Sequence, residues 1–148
     1  MPKVTRSALV EFSAEQMFNL VNDIEQYPEF LPGCIESEVS SRTDELVIGT
    51  MDLQKGPVRQ RFTTRNTLYG KERMDMELAD GPLDHLVGQW RFTPIGKPGT
   101  QACKVELDLD FEFKSALVGL ALNGLITDLA NTMVDAFIKR AKEIYSNE

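Results

Sequence analysis

The sequence predicts an α+β domain in which a curved antiparallel sheet of about seven strands wraps one long C-terminal helix, with two short helices after the first strand. Three observations predict this fold: six consecutive segments of alternating apolar and polar residues, short turn signals between them, and a long amphipathic segment near the C-terminus. The chain has 148 residues, of which 42% are hydrophobic. We therefore expect one domain, residues 1–148, with a substantial core.

The first strand is expected at residues 3–12, where apolar residues alternate with polar ones. Ser13 follows, with Gln16 three residues later, and this pair is typical of a capping box that begins a helix. Asp23 is positioned to cap a second, short helical turn. We expect that turn to break at residues 27–33, which contain two prolines, because proline restricts its neighbour and ends a helix.

Six further strands are expected, and the short turns between them favour antiparallel hairpins. The last strand is the clearest, because the odd positions from Cys103 to Phe113 are apolar while the even positions between them are charged. That pattern indicates a sheet with one buried face and one solvated face. The six predicted strands are residues 34–42, 45–54, 58–69, 72–80, 85–94 and 101–114.

The C-terminal helix is expected at residues 116–145, after Ser115. Its second half is amphipathic, which is typical of a helix packed on one side. Its first half differs, because residues 115–127 carry no charge and are apolar on nearly all sides, and Gly119 and Gly124 weaken the helix there. Three interpretations stay open for this segment: another protein element covers it, it is a mobile lid, or it touches a membrane.

The formal net charge of −7 argues against a general nucleic-acid binder, and no contact with DNA is expected. The charge is unevenly distributed, however, because residues 55–73 contain six basic side chains and one acidic side chain. Arginines alternate onto one face of the fourth predicted strand. That face either pairs with acids such as Asp75 and Glu77, or binds the anions of lipid headgroups or RNA phosphates. The candidate contact residues are Lys55, Arg59, Arg61, Arg65, Lys71 and Arg73.

Residue types that usually perform catalysis are sparse. His85 is the single histidine, no nucleophile motif such as G-x-S-x-G occurs, and the two cysteines are 69 positions apart. We therefore predict no catalytic residues, no metal site, no cofactor and no enzymatic activity. The low cysteine content and the lack of a signal-like apolar run near the N-terminus favour a cytoplasmic protein, with a peripheral position at the inner membrane as an extension of that prediction.

The inward faces of the predicted strands and helix collect many apolar side chains, most of which a core explains. A curved sheet around one helix also leaves a cleft, and clefts of this kind are frequent sites for apolar ligands. Methionine side chains suit a cavity that adapts to a flexible ligand. The candidate cavity residues are Tyr27, Pro28, Phe30, Leu31, Phe62, Met74, Met76, Trp90, Phe92, Leu109, Phe111, Leu122, Leu125, Leu129 and Met133.

Three segments resemble one known family. Residues 27–34, YPEFLPGC, are similar to the Y-P-x-F-L-P-x-C signature of the coenzyme Q-binding protein family, in the polyketide cyclase-like branch of the START (helix-grip) superfamily. Residues 81–92 resemble its G-P-F-x-x-L-x-G-x-W-x-F segment, with Leu83 in place of the usual aromatic residue, and residues 137–145 also match. The resemblance covers nearly the whole chain. It implies a helix-grip fold with an apolar cavity between the sheet and the C-terminal helix.

The resemblance implies two functions. Mitochondrial members bind a long-chain ubiquinone without catalysis and support respiration, so an isoprenoid quinone or another lipid is the first ligand expected, with no cofactor beyond it. Short bacterial members, the ribosome association toxins, bind the large ribosomal subunit and block its joining to the small one. The chain resembles these closely, and a toxin that inhibits translation is the alternative. A polyketide cyclase-like enzyme is a remote third function, since fold alone does not establish activity.

Overall fold

A computed structural model describes residues 3–97 and 99–145. The two α-helices are α1 (Ala14–Asn22) and α2 (Ala116–Tyr145), and a 3₁₀ turn at Ile24–Glu29 follows α1. The strands are β1 (Lys3–Val10), β2 (Cys34–Arg42), β3 (Leu46–Lys55), β4 (Val58–Tyr69), β5 (Arg73–Asp80), β6 (Leu83–Pro94) and β7 (Cys103–Phe113). The predicted fold class is confirmed, and most predicted boundaries lie within two residues of these.

The seven strands form one antiparallel sheet in the order β1-β7-β6-β5-β4-β3-β2. Strands β2 to β7 follow one another as hairpins, and β1 pairs with β7. The chain between β1 and β2 contains α1, which contacts β6, β7 and α2. One face of the curved sheet therefore carries both helices, and the other face is open to solvent.

The beginning of α1 follows the predicted capping box. The Ser13 hydroxyl accepts a hydrogen bond from the Gln16 backbone N–H at 3.1 Å, and the Gln16 side chain accepts one from the Ser13 N–H at 2.8 Å. These two bonds satisfy donors that the first turn of a helix would otherwise leave without partners.

The expectation for the next turn was wrong in one respect, because the Asp23 side chain makes no capping hydrogen bond. The turn ends at Glu29, within the expected residues 27–33, although Pro28 itself lies inside it. In so short a turn, proline removes only one backbone donor. The end of the turn is closed instead by the Tyr27 carbonyl, which accepts hydrogen bonds from the N–H groups of Phe30 and Leu31.

The centre of the core is an aromatic cluster between α2 and the sheet. Phe137 is fully buried and lies edge-on to Tyr27, Phe30 and Trp90, with ring centroids 5.3–5.5 Å apart. Trp90 in turn stacks on Phe92 at 5.9 Å. Offset and edge-to-face contacts of this kind add to the stabilisation from burial alone. This cluster anchors the second half of α2 to the sheet.

The first half of α2 is packed much less. Leu117 and Leu120 are 77% and 84% exposed, so no element within residues 3–97 and 99–145 covers them. Gly119 lies close to the Phe113 ring, where an added Cβ would come within 3.1 Å of it. By length and composition alone α2 is apolar enough to cross a membrane, but its second half is the core helix of this fold.

We expect Phe137→Ala to lower the free energy of unfolding by about 3–5 kcal/mol, because it removes a fully buried ring and leaves a cavity. Urea denaturation followed by far-ultraviolet circular dichroism measures the loss. The matched control is Lys139→Ala, which changes an exposed residue of the same helix and should alter the free energy of unfolding by less than about 0.5 kcal/mol. Equal losses in the two variants would contradict the central position of Phe137.

Candidate functional site

An apolar cavity lies between the concave face of the sheet and the middle of α2. Its volume is about 80 Å³. A water molecule occupies about 30 Å³ in the liquid, whereas ligand sites in proteins usually measure about 300–1,000 Å³. In this conformation the cavity is therefore too small for a lipid, and a ligand would have to enlarge it.

The 3₁₀ turn closes one side of the cavity. Gly49 on β3 lies against Ile24, so closely that an added Cβ at Gly49 would meet the Ile24 side chain at 2.6 Å. The Tyr27 ring lines the cavity, but its hydroxyl points away and donates a hydrogen bond to the Val21 carbonyl. Burial raises the pKa of Tyr27 above its usual range, so the phenol stays protonated.

The structure brings eight of the fifteen candidate cavity residues together at this cavity. They are Tyr27, Phe62, Met74, Met76, Trp90, Leu109, Leu129 and Met133. The other seven lie away from it. They are Pro28, Phe30, Leu31, Phe92, Phe111, Leu122 and Leu125. Whether the eight bind a ligand remains a prediction.

The seven residues outside the cavity have identifiable places. Pro28 is exposed on the outer side of the 3₁₀ turn, and Phe30 packs on Phe137. Phe92 fills the space between Trp90 and Phe18. The remaining four are buried elsewhere in the core; these are Leu31, Phe111, Leu122 and Leu125. Sequence alternation gives the face of a strand on which a residue lies but not its level along the cavity.

Nine further residues line the cavity, and sequence reasoning missed them. They are Ile24, Gly49, Met51, Leu53, Thr64, Asn66, Leu86, Ile126 and Ala130. Asn66 is 3% exposed, and its Oδ1 has no hydrogen-bond partner within the described residues. A signal for it was present, since Asn66 has the same parity on β4 as the inward-facing Phe62 and Leu68.

The chemistry available at the cavity is limited. Cys34 and Cys103 are free and buried, and burial raises the pKa of both thiols to about 11, so neither is an activated nucleophile at neutral pH. His85 lies in β6 and does not line the cavity. Among the residues that the structure describes, no group of three or more His, Cys, Asp or Glu side chains could hold a metal ion.

Each of the six candidate contact residues of the basic segment pairs with a carboxylate. The four arginines lie on the solvent-facing side of the sheet, whereas Lys55, at the end of β3, and Lys71, in the β4–β5 turn, pair with residues of α2 and α1. We call these six residues the basic surface. The pairs are Lys55–Asp128, Arg59–Asp52, Arg61–Asp52, Arg65–Glu77, Lys71–Glu15 and Arg73–Asp75. The basic side chains are therefore paired with acids, as one of the two interpretations of the sequence expected. Contact with RNA or an anionic membrane stays a prediction.

Asp52 is the most constrained carboxylate of these pairs. Its side chain is 8% exposed, and it accepts hydrogen bonds from Arg61 at 2.8 Å and from Arg59 at 3.0 Å. Hydrogen bonding from Arg61 is the main reason that the pKa of Asp52 lies below its usual range. These two arginines are thus held at Asp52, because releasing them would leave a buried carboxylate without partners.

Arg65 and Lys71 are held more weakly. The closest approach of Arg65 to Glu77 is 4.0 Å, and both side chains are more than half exposed. Lys71 contacts Glu15 at 2.6 Å, again between two exposed side chains. Exposed ion pairs contribute roughly 0–1 kcal/mol to the stability of a fold, so Arg65 or Lys71 can leave its carboxylate for another anion at little cost in free energy.

Comparison with known proteins matches residues 10–138 to the family described as "Polyketide cyclase / dehydrase and lipid transport". The chain is similar to the ribosome association toxin RatA of Escherichia coli K12, with 45% identity over 99% of this chain and 90% of that protein. It is also similar to the mitochondrial coenzyme Q-binding protein COQ10 homolog B of Xenopus laevis, with 31% identity over 97% of this chain and 59% of that protein.

Solved structures share the fold. The ZhuI aromatase/cyclase from Streptomyces superposes with a TM-score of 0.82 at 13% identity, covering 95% of this chain and 93% of the other. A START superfamily protein from Mycobacterium smegmatis gives 0.79 at 19% identity, with 96% and 98% coverage. Both identities are low, so these likenesses establish the helix-grip architecture and nothing about activity.

We expect Asp52→Asn to lower the melting temperature by a few degrees at pH 7 and by progressively less as the pH falls below about 4. The folded protein lowers the pKa of Asp52, so the ionised carboxylate stabilises the fold above about pH 4, and this stabilisation is lost as pH falls through the lowered pKa. Thermal denaturation from pH 2 to 7 measures it. Asp44→Asn, at an exposed position, is the control. A difference between Asp52→Asn and wild type that is constant with pH would contradict the proposed pairing.

Proposed function

Because this chain belongs to the polyketide cyclase / dehydrase and lipid transport family, we propose that it is a non-catalytic member that associates with the large ribosomal subunit and hinders subunit joining. The observation that carries the proposal is the near-full-length similarity to a ribosome association toxin, at 45% identity. The similarity to a coenzyme Q-binding protein is weaker and covers little more than half of that protein. A ribosomal role implies a location in the cytoplasm.

The part of the basic surface best suited to ribosomal RNA is the pair Arg65 and Lys71. Both cations are exposed, and each is paired with an exposed carboxylate that a phosphate can replace. Arg59 and Arg61 are poorer candidates because they neutralise the nearly buried Asp52. The proposed contact therefore uses two cations rather than the whole basic surface, which agrees with a chain that is acidic overall.

We expect wild-type protein, added to purified ribosomal subunits, to lower the ratio of joined ribosomes to free subunits in a sucrose gradient. The double variant Arg65→Glu/Lys71→Glu should restore that ratio, because it removes two phosphate contacts and adds two repulsive charges. An Arg65→Gln/Lys71→Gln variant should give an intermediate ratio.

The control is Lys139→Glu/Lys142→Glu, which makes the same change in net charge at exposed positions of α2. It should act as wild type does. A gradient that wild-type protein leaves unchanged would contradict the ribosomal function, whereas equal behaviour of the two Glu double variants would contradict only the proposed surface.

A second candidate function is the binding of a hydrophobic ligand, an isoprenoid quinone in particular, without catalysis. The cavity favours it, because four methionines line its wall and can adapt to a ligand; they are Met51, Met74, Met76 and Met133. The weakly packed first half of α2 is the element that we expect to move when the cavity of about 80 Å³ enlarges. The two functions use different surfaces and are compatible.

A cyclase function is the third candidate and has least support. The aromatase/cyclase likeness is one of fold alone. Neither His85 nor the two thiols line the cavity, and both thiols are protonated at neutral pH.

We expect decylubiquinone to quench the fluorescence of Trp90 in a saturable way, because Trp90 is the single tryptophan and lines the cavity. Ala130 lines the cavity and is only 1% exposed. Ala130→Leu should therefore abolish the quenching, because the larger side chain would fill the cavity. Ala121→Leu, at an exposed position of the same helix, is the matched control and should bind as wild type does. Absence of quenching in wild type, or unchanged quenching in Ala130→Leu, would count against the cavity as a quinone site.

A further inference from the structure

Asn66 is a buried polar side chain in an otherwise apolar wall. It lies on the inward face of β4, opposite Val47 of β3 and Met76 of β5. Only 3% of the residue is exposed, and it lines the cavity. Within the part of the chain that the structure describes, its Oδ1 accepts no hydrogen bond. A buried polar atom without a partner destabilises a fold, so its presence calls for a functional reason.

The lining offers Asn66 no neighbour that could satisfy it. Thr64 also lines the cavity, but its hydroxyl is no partner of the Asn66 Oδ1, which has none among the described residues. The Tyr27 hydroxyl is committed to the Val21 carbonyl. The Asn66 Oδ1 is a buried side-chain atom of the lining without a partner among the described residues, so the amide is available to a molecule inside the cavity.

The cavity also restricts the charge of its ligand. None of its described lining residues is Lys, Arg, His, Asp or Glu. A carboxylate or phosphate held there would be a buried charge without a counter-ion, which is strongly unfavourable. A neutral headgroup, in contrast, needs one hydrogen-bond partner. An asparagine amide can be either a donor or an acceptor, because its NH₂ group donates to a ketone and its carbonyl accepts from a hydroxyl.

We propose that Asn66 is the headgroup anchor of the cavity and selects neutral ligands that carry a ketone or hydroxyl group on an apolar body, against anionic lipids. This inference rests on the hydrophobic-ligand function proposed above. It adds the residue that discriminates among ligands and the chemical class that is accepted.

The test compares decylubiquinone with decanoate, which has a similar alkyl chain and an anionic head. Wild-type protein should bind decylubiquinone, measured by Trp90 fluorescence, and decanoate should not displace it. Asn66→Leu should weaken decylubiquinone binding by about three- to tenfold, which corresponds to one net hydrogen bond. The same variant should have a higher melting temperature than wild type, because a buried polar group has been replaced by an apolar one.

Asn66→Ala provides a second variant of the same position and should also weaken binding. Thr67→Val, on the outer face of the same strand, is the control and should leave both affinity and melting temperature unchanged. If wild type binds decylubiquinone and both Asn66 variants bind it equally well, the anchor role is wrong while ligand binding stands. Displacement by decanoate would overturn the selection for neutral heads. If wild type binds no decylubiquinone, the ligand function fails and this inference fails with it.

Discussion

The second half of α2 is buried against the concave face of the sheet around Phe137, and the other features of the molecule depend on this contact. Around Phe137 the aromatic cluster fills the space between the helix and the sheet. Between Ile126 and Met133 the side chains of the helix and the sheet do not fill that space completely, and this leaves the cavity. Beyond it, the first turns of α2 extend over the end of the sheet with two leucines in solvent. A single helix is thus firmly packed at one end and loosely packed at the other.

The solvent-facing side of the sheet follows a different constraint, which is electrostatic neutrality. The basic segment of β4 lies between acidic neighbours on β2, β3 and β5, so its positive charge is largely compensated. Asp52 fixes two arginines, whereas the pairs of Arg65 and Lys71 are exposed and weak. On such a face, a phosphate can bind by replacing the carboxylate partner of a cation, whereas a strong general attraction to nucleic acid is not expected.

Sequence alone predicted the strands, the capping box and the span of α2, because these depend on local periodicity and hydrogen bonding. It predicted only about half of the cavity wall, because the period of two gives the face and not the depth. Phe92 and Met74 both point inward, yet one fills the core and the other lines the cavity. Likewise, the pairing of Arg61 with Asp52 depends on the β3–β4 register, which alternation does not specify.

The structural point on which both proposals about the cavity depend is that α2 is firmly packed in its second half and loosely packed in its first, which lets the small cavity enlarge. Amide hydrogen exchange measures this difference along the helix. We expect fast exchange for residues 116–124 and slow exchange for residues 126–141, because burial is concentrated in the second range. Decylubiquinone should slow exchange mainly in the first range. Equal protection along the whole helix would show that its first half is packed as firmly as its second, and ligand protection confined to the outer face of the sheet would rule out the cavity as the binding site.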